Sequence, residues 1–534
     1  MEHLAGKVML FSGIRRYFLA ILAGACGSFA LPPCDFFGAS FVSFTFLVWL
    51  LDGVSYGHHR AISRFGSSFS VGWLFGIGYF FAGVFWLREE FIAHINPFFP
   101  VWVLVIFFIS IPIFLALFYG IATFLALFLW SEGIGRICIL ACSFGLLEWL
   151  RSWILGGITW NYIGYAAMPI PIMIQSVHLI GLFGMNALSV FCFSSPALFG
   201  TRQDVGIGIG IASALLILHI LYGIWALSDD LNLSRNIEEN LSIIRIVQPS
   251  ISQNNKENHE KILEKYLTMT ASSIVPGDLE PSVIVWSGMS IPFVIEDNPR
   301  ILSRIADYLK DRQMLVAGFV RKEEGAAMGT YRYYKSVYVI DNKGKIVAKS
   351  DKKDLIPFAE YLPHRNLLKG LGFNFSRFPE DYSAAQSVSI LALSEKLRFY
   401  PIISSEGIFY QNINKNSESA NAILNIVDDF WCASKAGSYQ NFRYAKIHAV
   451  ETGLPLVRVK NNGISAFIDA KGRVMAFLGL GKGASIDMHF RPAVTSPTAS
   501  EKGRVRFFWI IEFILLVIAF IASLVGKRRI REGL

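Results

Sequence analysis

Apolar stretches long enough to cross a bilayer recur eight times along this 534-residue chain, at about 17–33, 36–54, 69–87, 101–130, 137–153, 177–199, 205–227 and 507–526. Roughly 20 apolar residues make about 30 Å of helix, the thickness of a hydrocarbon core, and inside that core every backbone N–H and C=O needs an internal partner. The pattern therefore dictates helices over the first part of the chain. Only 17% of the residues are charged against 53% hydrophobic, which excludes an ordinary soluble protein, where about a quarter are charged. The fourth run contains Pro112 and reads as one tilted or kinked span rather than two short ones. The first reads as a retained helix and not a signal peptide, because no small-residue cleavage site precedes a soluble domain and six more runs follow at once.

The net charge of +9 does not imply a nucleic-acid partner, because much of the basic excess sits in short clusters beside the apolar runs, as at Arg15 and Arg16 and in the tail Lys527, Arg528, Arg529, Arg531. Such clusters set topology. With Lys7, Arg15 and Arg16 in the cytoplasm, alternation places Arg60, Arg64, Arg136, Arg202 and the tail there too. Residues 228–506 are then expected outside the cytoplasm. The organisation expected is a membrane domain of seven helices over 1–227, an external domain over 228–506, and an eighth helix with a basic cytoplasmic tail over 507–534. Of the six cysteines, Cys26, Cys34, Cys138, Cys142 and Cys192 lie in or beside apolar runs and Cys432 lies in the polar part. No CxxC pair or disulfide framework follows, and no metal or cofactor is expected.

Within the apolar part, EWLRSWILGGITWNYIGYA over 148–166 stands out. Glu148 and Arg151 are spaced to pair along one helix face at the membrane edge. Trp153, Trp160, Tyr162 and Tyr165 read as an interfacial belt, and the loop as a border to a lipid-entry site. His178 and His219 are isolated in apolar runs and read as packed neutral imidazoles.

The polar part changes character. LSIIRIVQPSI at 241–251 alternates as a strand does, a charged helical stretch follows around 256–270, and PSVIVWSGMSIPF occupies 281–293. A helix near 299–312, a strand at 314–320 and a hairpin over 333–351 turning at Asn342–Gly344 come next. Further strands are expected at about 388–393, 398–404 and 422–427, then a helix around 440–453 and strands within 455–478. Strands alternating with helices make an α/β domain large enough for its own core. Inside it, DKKDLIPFAEYLP at 351–363 sets Lys352 eight residues before Glu360, with Pro357 between. Two opposite charges among apolar neighbours suit acid–base chemistry, although a surface loop with unrelated charges has the same spacing.

RIVQPSI, VIVWSGMSIPF, YKSVYVID, DKKDLIPFAEYLP, ISSEGIF, DDFW, YQNFRYAKIHAVETGLPLVR and NNGISAFID, in this order, resemble the nitrilase (carbon–nitrogen hydrolase) superfamily. The whole chain, spans included, resembles the bacterial apolipoprotein N-acyltransferases. That resemblance implies a polytopic membrane domain with eight spans and a periplasmic nitrilase-like αββα sandwich, in the inner membrane, with both termini cytoplasmic. It implies transfer of a fatty acyl group from a phospholipid donor, through an acyl-enzyme, to the N-terminal S-diacylglyceryl cysteine of a lipoprotein. The family uses a Glu base, a Lys and a Cys nucleophile. Here the base position is Gly288, in WSG where the family has WPE. The lysine is Lys352, and the nucleophile position is Ser404, in ISSE where the family has ICYE. Glu360, Glu406 and Trp431 match supporting positions, while Ala359, Ser405, Asp428 and Cys432 depart from the usual residues.

Two other readings stand beside this one. A catalytically impaired homologue would bind lipid or lipoprotein without turnover, because Glu and Cys of the triad are replaced by Gly288 and Ser404. A transporter with a merely structural external domain is disfavoured by the lack of internal repeats and of paired intramembrane charges. A soluble small-molecule amidase would have no need of the spans.

Overall fold

The computed structural model describes the chain apart from residues 58–60, 91–100, 155–159, 229–241, 252–258, 273–279, 289–290, 292–293, 326–328, 358–359, 371–380, 409–418, 428–434, 494–500 and 533–534. The chain divides into a unit made of Met1–Arg88, Val101–Leu231 and Ala499–Leu534, and a second made of Glu89–Pro100 and Asn232–Thr498.

In the first unit each apolar run forms a helix: α1 (Gly13–Ser28), α2 (Gly38–Gly57), α3 (Ala61–Gly83), α4 (Val101–Ala126), α5 (Ile134–Arg151), α6 (Val177–Ser194), α7 (Val205–Ser228) and the C-terminal helix Glu501–Glu532. Pro112 lies inside α4, a single helix as expected. Among the described residues, six of these helices are long and apolar enough to cross a membrane by length and composition, and α1 and α5 fall short of that measure. The physical reason is local. α1 has 16 residues, about 24 Å at the helical rise, and α5 has 18 residues that include Arg136, Glu148 and Arg151. Small residues bring α1 and α3 together: a Cβ on Gly24 would lie 1.9 Å from the Phe75 carbonyl oxygen, and one on Gly78 2.0 Å from that of Ile21. Close backbone approach of this kind is how helices gain dispersion contacts in lipid.

The charges of α5 are paired and buried, against the expectation that the apolar runs hold no paired charges. Arg136 meets Asp52 at 2.9 Å, and Asp52 also accepts from Trp130 Nε1 at 3.0 Å. Glu148 and Arg151 pair at 2.6 Å as their spacing suggests, but inside the bundle, where Tyr119 donates to Glu148 and Arg151 donates to the Trp160 carbonyl. The aromatic belt needs correction. Trp153 is exposed, whereas Trp160, Tyr162 and Tyr165 are buried, because Tyr162 stacks under the Arg151 guanidinium at 4.3 Å and packs on Tyr165. His219 is a packed imidazole: Nε2–H donates to the Ala167 carbonyl at 3.3 Å, and Nδ1 accepts from Ser176 at 2.7 Å.

The second unit is a four-layer αββα sandwich. Its strands are β1 (Ser242–Gln248), β2 (Val283–Trp286), β3 (Met314–Glu324), β4 (Tyr331–Asp341), β5 (Ile346–Asp351), β6 (Leu391–Ala392), β7 (Arg398–Ile403), β8 (Ala422–Val427), β9 (Leu456–Lys460), β10 (Ser465–Ile468), β11 (Val474–Leu478) and β12 (Ala484–Phe490). They form two six-stranded sheets, ordered β12-β1-β2-β3-β4-β5 and β11-β10-β9-β8-β7-β6. Period-two alternation builds the layers. Ile244, Ile246, Val283, Val285, Val316, Val337 and Val339 face Ala422, Leu424, Ile426, Val457 and Val459 between the sheets. Ile284, Trp286, Leu315, Ala317, Tyr338 and Ile340 turn the other way, onto Leu263 and Leu267 of α8 (His259–Ala271) and Ile301 and Ile305 of α9 (Pro299–Tyr308). The second sheet packs Ile423, Leu456 and Ala466 on Ala445 and Ala449 of α10 (Lys435–Thr452). The hairpin turn falls between β4 and β5, with Gly344 at φ +74°. β12 was not legible as a strand; it pairs antiparallel with β1 and is anchored by the Arg245–Asp487 ion pair at 2.7 Å.

Candidate active site

β7 is buried from Phe399 to its last residue, and the chain then turns sharply into the 3₁₀ segment Ser404–Ile408. Ser404 has φ +57°, a left-handed conformation that costs a residue with a Cβ about 1–2 kcal/mol. Such strain persists only where neighbours over-determine it, and here Glu406 does so. One carboxylate oxygen accepts from Ile403 N at 2.7 Å, and the other from Lys353 N at 2.8 Å and Asp354 N at 3.2 Å. The turn after β7 is thereby tied to the segment leaving β5. From the other side, His448 of α10 donates Nε2–H to the Gly407 carbonyl at 2.6 Å. The result is a short, rigid elbow that presents Ser404. Its hydroxyl is buried and has no hydrogen-bond partner among the described residues.

Lys352 leaves the end of β5, its N–H donating to the Lys335 carbonyl of β4 at 2.8 Å. Its ammonium donates to both oxygens of Glu360, at 2.8 and 2.7 Å, and Ile356 N donates to the same carboxylate at 2.9 Å. A second ammonium, Lys335, reaches it at 2.9 Å. All three side chains are buried. Burial alone would push the Glu360 carboxyl up, but Lys335 and then Lys352 outweigh it and hold the group at about 2. Glu360 is thus a permanent anion at neutral pH and no proton acceptor. For Glu406 burial wins over Lys352 and the backbone N–H donors, raising it to about 7.

Gly288 follows β2 after Ser287 and has φ +46°, the region that glycine enters without penalty. Trp286 stacks on Tyr266 and donates Nε1–H to Thr270 at 2.8 Å, while the Tyr266 hydroxyl lies 2.8 Å from Ser287 Oγ. β2 is parallel to β3, and the antiparallel pairings of β3 with β4 and β4 with β5 bring the C-terminal ends of β2 and β5 to one rim of the sheet. Gly288 and Lys352 both leave from that rim, and Glu406 joins the end of β7 to it. Lys352, Glu360, Glu406 and the Ser404 turn are therefore brought together by direct contacts, and Gly288 leaves the same rim from β2, with β3 and β4 between it and β5. Trp431, Cys432, Asp428 and Ala359 lie outside the described residues.

Lys335 was missed. Its signal was a lysine in the middle of YRYYKSVYVID, a strand buried on both faces from Tyr334 to Ile340. His448 was also missed, because a histidine on a mixed helix gives no periodic cue.

The family described as "Apolipoprotein N-acyltransferase N-terminal domain" matches residues 23–194, and "Carbon-nitrogen hydrolase" matches residues 243–488. Apolipoprotein N-acyltransferase of Rhizobium etli (strain CIAT 652) is 45% identical over 528 residues, covering 98% of this chain and 98% of its own. The proteins of the same name from Rhizobium rhizogenes and Agrobacterium fabrum are 44% and 42% identical, each covering 98% or more of both chains. With relatives 42–45% identical over nearly the whole of both chains, the chain belongs to the apolipoprotein N-acyltransferase family.

Proposed function

We propose that this chain is an enzyme of lipoprotein maturation that moves a fatty acyl group from a membrane phospholipid to the amino group of an N-terminal diacylglyceryl cysteine. The observation that carries this reading is identity of 45% spread over 98% of the chain, which includes both the spans and the hydrolase-like unit. In the first half-reaction a bond forms between Ser404 Oγ and the acyl carbon, the donor ester C–O bond breaks, and the hydroxyl proton leaves with the lysophospholipid. In the second, the acceptor amine attacks the acyl-serine, the acyl–Oγ bond breaks, and a proton returns to Oγ. Lys352, held in place by Glu360, supplies positive charge to the oxygen that turns negative in each step. No cofactor or metal enters this scheme.

The placement we propose is the inner membrane of a bacterium, with all eight helices spanning, boundaries near 227 and 506, and the hydrolase-like unit in the periplasm. The short basic segments beside the helices support it. A reporter fused after Leu534 should then behave as cytoplasmic, and a periplasmic signal would mean that the number of spans is odd.

Gly288 and Ser404 favour a second reading, in which the chain binds donor and acceptor but turns over very slowly. A serine hydroxyl needs an adjacent base, and the described residues put no carboxylate on Ser404 Oγ. Incubating the detergent-solubilised chain with phospholipid and labelled diacylglyceryl peptide separates the two. Triacylated product supports acyl transfer; saturable peptide binding without product supports the second reading.

A further inference from the structure

α7 is packed closely on its own unit near its two ends. A Cβ on Gly208 would lie 2.1 Å from Leu198 Cδ1, and one on Gly223 1.9 Å from the Ile172 carbonyl oxygen. Between these contacts α6 and α7 leave a cavity of about 290 Å³, whose wall includes Leu188, Ser189 and Cys192 of α6 and Leu215, Leu216 and His219 of α7. The wall is almost wholly apolar, and its polar atoms are spoken for. Ser189 Oγ donates to the Met185 carbonyl at 2.5 Å, the Cys192 thiol to the Ala212 carbonyl at 3.9 Å, and His219 is bonded at both ring nitrogens, to Ser176 and to Ala167. Too few polar partners remain to hold a buried water.

An unfilled apolar space forfeits dispersion contacts on every side, and in a bilayer the apolar material at hand is the lipid chain. α7 is open to it, since only 11% of that helix is buried, the least among the six candidate spans. We propose that the cavity between α6 and α7 holds one fatty acyl chain of a bilayer phospholipid. Shape decides against a protein segment. α6 lines the cavity from Leu179 to Phe193, about 20 Å at the helical rise, so the volume corresponds to a section of about 15 Å², against roughly 80 Å² for a helix about 10 Å across. Such a section suits an unbranched chain and excludes a helix. The lipid so held fastens α7, the helix from which the chain runs on into the hydrolase-like unit. The site rests on α6 and α7 lying in the membrane and not on acyl transfer, and all of its lining residues belong to the helical unit.

Photolabelling from the lipid side tests this. The full-length chain is reconstituted into vesicles of phosphatidylethanolamine and phosphatidylglycerol that carry a trace of phosphatidylethanolamine with a diazirine midway along one acyl chain, then illuminated and peptide-mapped. Label should fall on Leu188, Ser189 or Cys192, which line the cavity, and this readout needs no substituted chain. Label on the exposed Ile217 and Leu221 reports ordinary contact of α7 with lipid, so an error in the span reading is seen separately. Leu216→Trp and Cys192→Phe fill the cavity from its two walls. Each should cut the label at Leu188 and Ser189 about tenfold, the effect of forcing an extra ring into occupied space. Leu221→Trp adds a ring on the exposed side of α7 and should leave that label unchanged. Label on Ile217 and Leu221 with none on Leu188, Ser189 or Cys192 overturns the proposal, as does equal label in the filled and parent chains. Cavity label that falls as the ratio of protein to lipid rises assigns the space to a second copy of the chain and overturns it too.

Discussion

Replacing Gly288 by Glu and Ser404 by Cys together should raise acyl transfer by about 10⁴-fold over the chain as it stands, with neither single change giving more than a small part of that. The elbow, the lysine and its carboxylate partner are in place, and two chemical groups are not. A cysteine at 404 would be at least a few per cent thiolate near neutral pH, and an acyl thioester is a better donor to an amine than an ester. Without a carboxylate at 288, however, the described residues that follow β2 offer no carboxylate to take the thiol proton or the proton of the incoming amine. A Glu at 288 facing Ser404 meets a hydroxyl of far higher pKa. Groups that act as one unit do not contribute additively. The restoration has a structural cost, because φ at 288 is +46° and a side chain there loses about 1–2 kcal/mol. The double variant should therefore be faster and unfold at a lower temperature than the parent. A rate within tenfold of the parent's would mean that the rim does not bring the two positions together.

The second large effect concerns the stability of the hydrolase-like unit. Glu360→Ala should cost about 3–5 kcal/mol, because it removes the buried carboxylate that two buried ammonium groups share. The pH dependence follows from the same carboxylate. The folded value of Glu360 lies near 2 against an ordinary 4.5, so its contribution is complete above about pH 4.5 and is lost as pH falls toward 2. The difference corresponds to about 3 kcal/mol. Glu406 has the opposite sign. Burial raises it to about 7, so its contribution is complete below about pH 4.5 and is lost as pH rises through 7, again by about 3 kcal/mol. Unfolding of the detergent-solubilised chain, followed by denaturant titration at a series of pH values, should lose its acid limb in Glu360→Gln and its limb between pH 4.5 and 7 in Glu406→Gln. If Glu360→Gln leaves the acid limb unaltered, the two lysines do not hold an anion in the folded state.

Much of the sandwich was legible because period-two alternation is a direct record of two buried faces, as in Val283, Ile284, Val285 and Trp286, which point alternately to the sheet interface and to the helices. β12 was not, since ASIDMHF is only partly buried over most of its length and its place depends on a partner more than 230 residues away, β1. The ion pair of Lys352 and Glu360 was legible from DKKDLIPFAEYLP, but its third member was not, because Lys335 comes from a different strand and only the β4–β5 pairing brings it near. Tyr162 and Tyr165 misled for a related reason. Aromatic residues at the end of an apolar run look interfacial, and only the buried Glu148–Arg151 pair, with the Tyr162 ring and the Trp160 carbonyl on Arg151 and Tyr165 packed on Tyr162, shows that they turn inward.

The most direct measurement of the proposed site is peptide-mapped mass spectrometry of the Gly288→Glu/Ser404→Cys variant after incubation with phospholipid in the absence of a lipoprotein acceptor. The geometry of the elbow predicts one fatty-acyl adduct, on the peptide that carries position 404, which disappears when diacylglyceryl peptide is added. An adduct on the peptide that carries Cys432, or triacylated product formed with no adduct at position 404, would contradict it.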